Sequence, residues 1–185
     1  MKEEILADLK DKMKNTEEAL QREFNKVRTG RASTALLDGI KIDCYDTQMP
    51  IQQVASISVP DSRLMTIQPW DQTIIGNIEK GILKSELGLT PMNDGKIIRI
   101  SIPPLTEERR KELAKLARKM AEDGRVAMRN HRREANDLFK QLKNEKEMSE
   151  DDFYKAQEEV QKITDDSIKH IDRITEEKEK EIMEF

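Results

Sequence analysis

The stretch RRKELAKLARKMAEDGRVAMRNHRR, Arg109–Arg133, decides the fold of this chain. Through it and beyond it apolar residues recur at helical steps: Leu113, Leu116, Met120, Ala127 with Met128, His131, Ala135, Leu138 and Leu142. That spacing predicts one amphipathic helix of about forty residues. Gly124 interrupts the seam at a cost of about 1 kcal/mol against alanine, yet the pattern keeps its phase, so a single continuous helix is expected. At 100° per residue, with Arg125 set to zero, this seam is centred at about −120°. Five arginines, Arg110, Arg118, Arg125, Arg129 and Arg132, form a separate stripe at about −60°, 20°, 0°, 40° and −20°. Much of the stripe is therefore expected to face away from the helix contact.

Two other helices supply partners for the seam. Ile5, Leu9, Met13, Thr16, Leu20, Phe24 and Val27 step by three and four near the start of the chain. A third helix of about thirty-five residues begins after Ser149, a candidate N-cap with Asp152 at the capping-box position. It continues through Phe153, Val160, Ile163, Ser167, Ile171, Ile174 and Ile182. The second and third helices, each about 50 to 60 Å long, can bury such narrow seams only against one another, which predicts a three-helix bundle.

Between the first and second helices the period changes from helical to two. Gly39–Tyr45, Val54–Val59, Arg63–Gln68 and Lys96–Ile102 alternate as strands bounded by Pro, Gly or Asp. One short helix interrupts them: Asp71 is a candidate cap, Ile74, Ile78 and Ile82 stack at i+4, and Gly88 with Pro91 ends it. The expected class is α+β, with a bundle built from residues 1–30 and 105–185 and a β-rich domain, residues 31–104, inserted into it. The chain crosses that boundary twice, at Thr29-Gly30-Arg31 and Ile102-Pro103-Pro104-Leu105. A permissive glycine opposite stiff prolines suits a hinge of limited freedom; the same residues also serve as ordinary boundary punctuation, and both readings stand.

Of the 185 residues 38% are charged and 4% aromatic, with a formal net charge of −4. The regular apolar spacing makes this the composition of solvated helices rather than of disorder. Cys44, the only cysteine, excludes an internal disulfide and a cysteine zinc cluster, and is expected as a small buried hydrophobe in a strand. Met1-Lys2-Glu3-Glu4-Ile5 has neither the apolar core of a signal peptide nor the acid-poor character of a transit peptide, and no segment approaches the roughly 20 apolar residues that span a bilayer. A cytoplasmic protein with no membrane partner is expected.

No arrangement suits bond making or breaking. His131 lies in the seam of the second helix and His170 beside that of the third, with no cysteine or second histidine at ligand spacing. Gly88-Leu-Thr-Pro-Met-Asn-Asp-Gly95-Lys96 resembles a phosphate loop, but six residues separate its glycines, Ile97 stands where Ser or Thr would hold magnesium, and a strand follows it. Neither enzymatic activity, nor a cofactor, nor a metal is expected.

The charge is segregated. Arg109–Arg133 carries ten basic residues against the acids Glu112, Glu122 and Asp123, whereas acids outnumber bases from Glu145 onward. Ion pairs to the acidic third helix are one explanation. A row of phosphates is the other, favoured by arginine's planar fork of donors and by the separation of stripe and seam. The scarcity of aromatics disfavours stacking on single strands and favours backbone recognition of structured RNA. A coiled-coil protein gripping an acidic protein partner is the alternative from a different class.

Val27-Arg28-Thr29-Gly30-Arg31-Ala32-Ser33, Pro103-Pro104-Leu105-Thr106-Glu107-Glu108-Arg109-Arg110 and Arg129-Asn130-His131-Arg132-Arg133 occur in that order, with Gly88-Leu89-Thr90-Pro91 ahead of the last strand. These segments resemble signatures of the bacterial ribosome recycling factor family over essentially the whole chain. The resemblance implies an L-shaped monomer in which a three-helix bundle joins a small β/α/β sandwich through a hinge at Gly30, Pro103 and Pro104. It also implies the function: with elongation factor G and GTP, the protein disassembles the post-termination ribosome into subunits for new initiation. The bundle would lie in the intersubunit space against large-subunit rRNA through Arg110, Arg129, Arg132 and Arg133, with Arg28 and Arg31 near the junction. The small domain would meet elongation factor G and the small-subunit side. Arg118 and Arg125 share the stripe by geometry alone, and no family motif reaches them.

Overall fold

The computed structural model describes residues 1–184. In chain order the elements are α1 (Lys2–Lys26), β1 (Lys41–Cys44), β2 (Thr47–Pro50), the single turn α2 (Ile51–Val54), β3 (Ala55–Asp61), β4 (Leu64–Pro69), α3 (Ile75–Lys84), β5 (Pro91–Asn93), β6 (Ile98–Ser101), α4 (Glu107–Asn144) and α5 (Glu150–Glu184). They divide into two compact units, Met1–Val27 with Glu107–Glu184, and Arg28–Thr106.

The first unit is the three long helices. Leu6, Leu9, Met13, Leu20 and Phe24 of α1 are buried, as are Phe153, Ala156, Val160, Ile171, Ile174 and Ile182 of α5. The buried side of α4 differs from the expected one. It runs through Leu113, Ala114, Ala117, Ala121, Met128, Ala135 and Phe139, while Leu116 and Leu138 are 41% and 44% exposed. The seam thus centres at about −60°, rotated toward the arginine stripe. Small side chains let helix axes approach closely, and a leucine-weighted reading overlooks alanines that line such a contact. Gly124 follows the same logic: a Cβ there would stand 3.2 Å from Ile171 Cδ1 and 3.8 Å from Leu20 Cδ2. The helix runs through it unbroken.

The helix ends are closed by specific bonds. Lys146, at φ 61, donates its backbone N–H to Lys143 O at 3.1 Å, and Glu147 donates to Leu142 O at 2.9 Å. This is the Schellman pattern, with lysine at the position where glycine is usual. At the start of α5, Asp152 N donates to Ser149 Oγ at 3.1 Å, and the Ser149 hydroxyl donates to Asp152 Oδ2 at 2.8 Å. The buried threonines Thr164 and Thr175 turn their hydroxyls onto Val160 O and Ile171 O, at 2.8 and 2.7 Å, which satisfies polar groups inside the bundle.

The second unit is built on two antiparallel sheets, β1-β2 and β3-β4-β6-β5. Its core gathers Leu37, Ile42, Ile51, Met65, Ile67, Ile78, Ile82, Ile98 and Ile100, and Cys44 is buried in β1 among them. Two strands, β2 and β5, were not expected from the sequence. Both are short and contain proline, and neither alternates cleanly, so period two has too few residues to register. β1 and β2 form a two-residue hairpin, with Cys44 opposite Thr47 and positive φ at both Tyr45 and Asp46, as a type I′ turn requires. Val54 belongs to α2, so the predicted strand begins one residue later, at Ala55. Asp71 caps a 3-10 turn, Gln72–Ile74, that leads into α3, accepting from Thr73 N at 2.9 Å. α3 stops at Lys84, before Gly88.

The phosphate-loop look-alike is a self-filled nest. Asp94 Oδ1 accepts from Lys96 N and Ile97 N at 2.9 and 2.8 Å, and Asp94 Oδ2 accepts from Arg99 Nη1 at 2.6 Å. The backbone donors that would face a phosphate are thus turned onto the loop's own carboxylate.

Candidate nucleic-acid interface

Rotation of the α4 seam changes what the arginine stripe does. Arg125, with a side chain only 24% exposed, donates from Nε and Nη2 to Asp172 Oδ1 of α5, at 2.9 and 2.5 Å. Its Nη1 reaches Glu122 Oε2 at 3.3 Å. Arg118 Nε donates to Glu179 of α5. Arg110 Nη1 donates to Met183 O at 3.1 Å, and its Nε is buried without a partner among the described residues. Arg132 Nη1 stands 3.5 Å from Gln161 Oε1, at the limit of a hydrogen bond. Four of the five stripe arginines therefore reach the third helix, contrary to the expectation that much of the stripe faces away. The cause is positional: at about −60° to 20°, Arg110, Arg132, Arg125 and Arg118 overlap or flank a seam centred at about −60°.

A different set of cations remains available. Arg129 Nη1 donates to Glu122 Oε1 on its own helix at 3.1 Å. Arg133, Lys115 and Lys119 are exposed and have no partner among the described residues. On the helical wheel Arg129, Lys115, Arg133 and Lys119 occupy about 40° to 120°, a quadrant beyond the arginines that clamp α5. Lys115 and Lys119 are among the ten basic residues of Arg109–Arg133 but carry no site signal in the sequence. Both lie off the arginine stripe and outside the family motifs, and a seam drawn through the alanines would have singled them out.

The junction residues belong to the second unit, whose boundaries fall at Val27/Arg28 and Thr106/Glu107. Arg28 Nη1 donates to Leu87 O at 2.7 Å, and Arg31 is exposed. Gly30 is buried at φ 76, a left-handed conformation that favours glycine. Together with Pro103, Leu36, Leu87, Leu89 and Leu105 it lines a cavity of about 190 Å³, while Pro103 and Pro104 are exposed. Elsewhere on this unit the chain's single tryptophan, Trp70, is 72% exposed. It adjoins Asp71, whose Oδ2 accepts the hydroxyl of the exposed Tyr45.

Both histidines hold α1. The Thr16 hydroxyl donates to Lys12 O at 3.0 Å, leaving its oxygen to accept from His131 Nε2 at 3.3 Å. His170 Nε2 lies 3.7 Å from Glu17 Oε2, and its Nδ1 accepts from Arg173 Nη2 at 3.0 Å. No helix among the described residues is long and apolar enough to cross a membrane.

A bundle of three long helices with an antiparallel β/α unit inserted after the first, and a cationic quadrant on the second, defines a class of two-unit α+β proteins. The Ribosome recycling factor family model matches residues 20–183. The ribosome-recycling factor of Nitratidesulfovibrio vulgaris (strain DP4) is 60% identical over 183 residues, covering 99% of this chain and 98% of that protein. That of Solidesulfovibrio magneticus is 58% identical over 181 residues, 98% of each. The solution structure of a ribosome recycling factor aligns with a TM-score of 0.79 at 43% identity, covering 100% of this chain and 98% of that one. A second structure presents models for the T. thermophilus ribosome recycling factor and the E. coli elongation factor G bound to the E. coli post-termination complex; it aligns with a TM-score of 0.66 at 45% identity over 99% of each chain. The chain belongs to the ribosome recycling factor family. It is a translation factor rather than an enzyme.

Proposed function

We propose that this chain acts in the cytoplasm after translation termination, where, with elongation factor G and GTP, it separates the post-termination ribosome into subunits. We further propose that its bundle grips large-subunit rRNA through Arg129, Arg133, Lys115 and Lys119, with Arg132 at the edge of the patch. The observation that carries this reading is the outward quadrant of α4, where Arg133, Lys115 and Lys119 have no partner among the described residues and Arg129 pairs only with Glu122 of its own helix. Like charges gathered on one rigid face repel one another, and a polyanion relieves the repulsion while releasing its own counterions. Arg110, Arg118 and Arg125 are assigned a second task, clamping α4 to α5 so that the rod transmits force without splaying. Arg28 and Arg31 are proposed as further RNA contacts on the second unit.

The post-termination complex presented with a relative supports the choice of partners. Trp70 and Tyr45 offer the second unit an exposed aromatic contact of the kind that anchors protein interfaces, and elongation factor G is its proposed occupant. Gly30, Pro103 and Pro104 carry the two crossings through which the units turn during splitting.

Light scattering of post-termination ribosomes tests the function directly. A fall in scattering is expected only with the chain, elongation factor G and GTP all present. Equal splitting without the chain, or none with all three, overturns the proposal. Shortening the crossing at Pro103-Pro104 should spare binding to large subunits and abolish splitting; normal splitting by that variant would make the junction a mere connector.

A further inference from the structure

We propose that Glu122 is a release residue: a carboxylate set inside the cationic quadrant that competes with RNA phosphate for Arg129 and so limits how tightly the factor holds the ribosome, an inference that rests on the RNA-binding reading above. Among the acids of Arg109–Arg133, Glu112 and Asp123 lie at about 140° and 160° on the α4 wheel, outside the patch, and only Glu122, at about 60°, stands within it. Its side chain is 52% exposed. Its two oxygens divide between Arg129 Nη1 at 3.1 Å and Arg125 Nη1 at 3.3 Å.

The two contacts differ in consequence. Arg125 is already fixed by two bonds to Asp172, so Glu122 is redundant for holding it and for joining α4 to α5. Arg129 has no other partner among the described residues. Its guanidinium therefore has two alternatives, the Glu122 carboxylate in the free protein and a phosphate in the complex. The Arg129 guanidinium, with Arg125 beside it, holds the Glu122 carboxyl below the usual carboxylate range, as suits an ion-paired acid. A factor that must leave the ribosome after each round gains from such a counter-charge. The carboxylate recaptures Arg129 as phosphate departs, and the contact to be broken is weakened by the strength of the intramolecular pair.

Binding and dissociation of the full chain on isolated large ribosomal subunits, over a range of salt concentrations, test this. Glu122→Gln is expected to bind about two- to fivefold tighter, the equivalent of one exposed ion pair. It should also dissociate more slowly, and it should split fewer ribosomes per minute when the factor is limiting. In an Arg129→Ala background the same substitution should give no tightening. That second arm decides the matter even if Glu122→Gln shifts the melting temperature, because a structural effect would persist without Arg129. Unchanged or weaker binding by Glu122→Gln, or tightening that survives Arg129→Ala, overturns the proposal. If Arg133→Ala and Lys115→Ala leave binding untouched, the RNA-binding reading itself falls.

Discussion

Arg125 and Asp172 join the two longest helices through one carboxylate oxygen, which accepts from both Nε and Nη2 of the guanidinium at 2.9 and 2.5 Å. The arginine is largely covered and the aspartate half exposed, so the pair belongs between surface and interior and its value is modest. A double-mutant cycle with Arg125→Ala and Asp172→Ala should give a coupling of about 0.5–1 kcal/mol in chemical denaturation. Large-subunit binding should remain close to that of the unmodified chain. A strong loss of binding in Arg125→Ala with no loss of stability would return this arginine to the RNA interface.

Arg132 and Arg133 should behave in the opposite way. Among the described residues Arg133 has no hydrogen-bond or ion-pair partner and Arg132 has one long contact, so Arg133→Ala should leave the melting midpoint unchanged. Its binding to large subunits should weaken, with the slope of log affinity against log salt falling by about one. Arg132→Ala is expected to lose about 1–3 kcal/mol of binding, the scale of a charged hydrogen bond. Filter binding or sedimentation at several salt concentrations measures both.

Lys146 adopts φ 61 at the end of α4, a conformation that costs an L-residue with a Cβ about 1–2 kcal/mol. Glycine adopts it freely but loses more entropy on folding. Lys146→Gly should therefore stabilise the bundle by about 1 kcal/mol, seen as a rise of a few degrees in the far-ultraviolet circular dichroism melt.

Asp94 ties pH to the second unit. The N–H groups of Ile97 and Lys96, with Arg99 beside them, pull its carboxyl from 3.8 to about 2. A depressed acid contributes stability that is complete above its unfolded value and is lost as pH falls through its folded value. The contribution should thus disappear between about pH 4 and about pH 2. Asp94→Ala should flatten the acid dependence of the second unit in that window, followed by amide exchange in β6, and leave the helices of the first unit unaffected.

Local chemistry explains which parts of this molecule are legible before folding. The cap at Ser149, the Asp71 turn and the seam of α1 each depend on residues within a few positions of one another, and each is found where local rules put it, except at the ends of the α1 seam, where Leu6 is buried rather than Ile5 and Val27 lies past the helix. β2 and β5 escaped because strands of three or four residues containing proline owe their pairing to neighbours rather than to their own pattern. The basic helix was legible, but which of its arginines pair with α5 was not. Arg118 and Arg125 meet Glu179 and Asp172, residues 61 and 47 positions away, and no helical wheel of α4 alone contains them.

By itself, the sequence determined that three amphipathic helices would bundle around an inserted β unit, because apolar period and turn chemistry are properties of contiguous residues. Tertiary structure decided which side of α4 is inward. Close approach of the helices selected Ala114, Ala117, Ala121 and Gly124 for the contact and left Leu116 and Leu138 partly exposed. That rotation drew four arginines onto α5 and left Arg129, Arg133, Lys115 and Lys119 as the outward charge. The physical reason is that burial of a helix face depends on the fit between two surfaces, while the sequence of one helix records only its own.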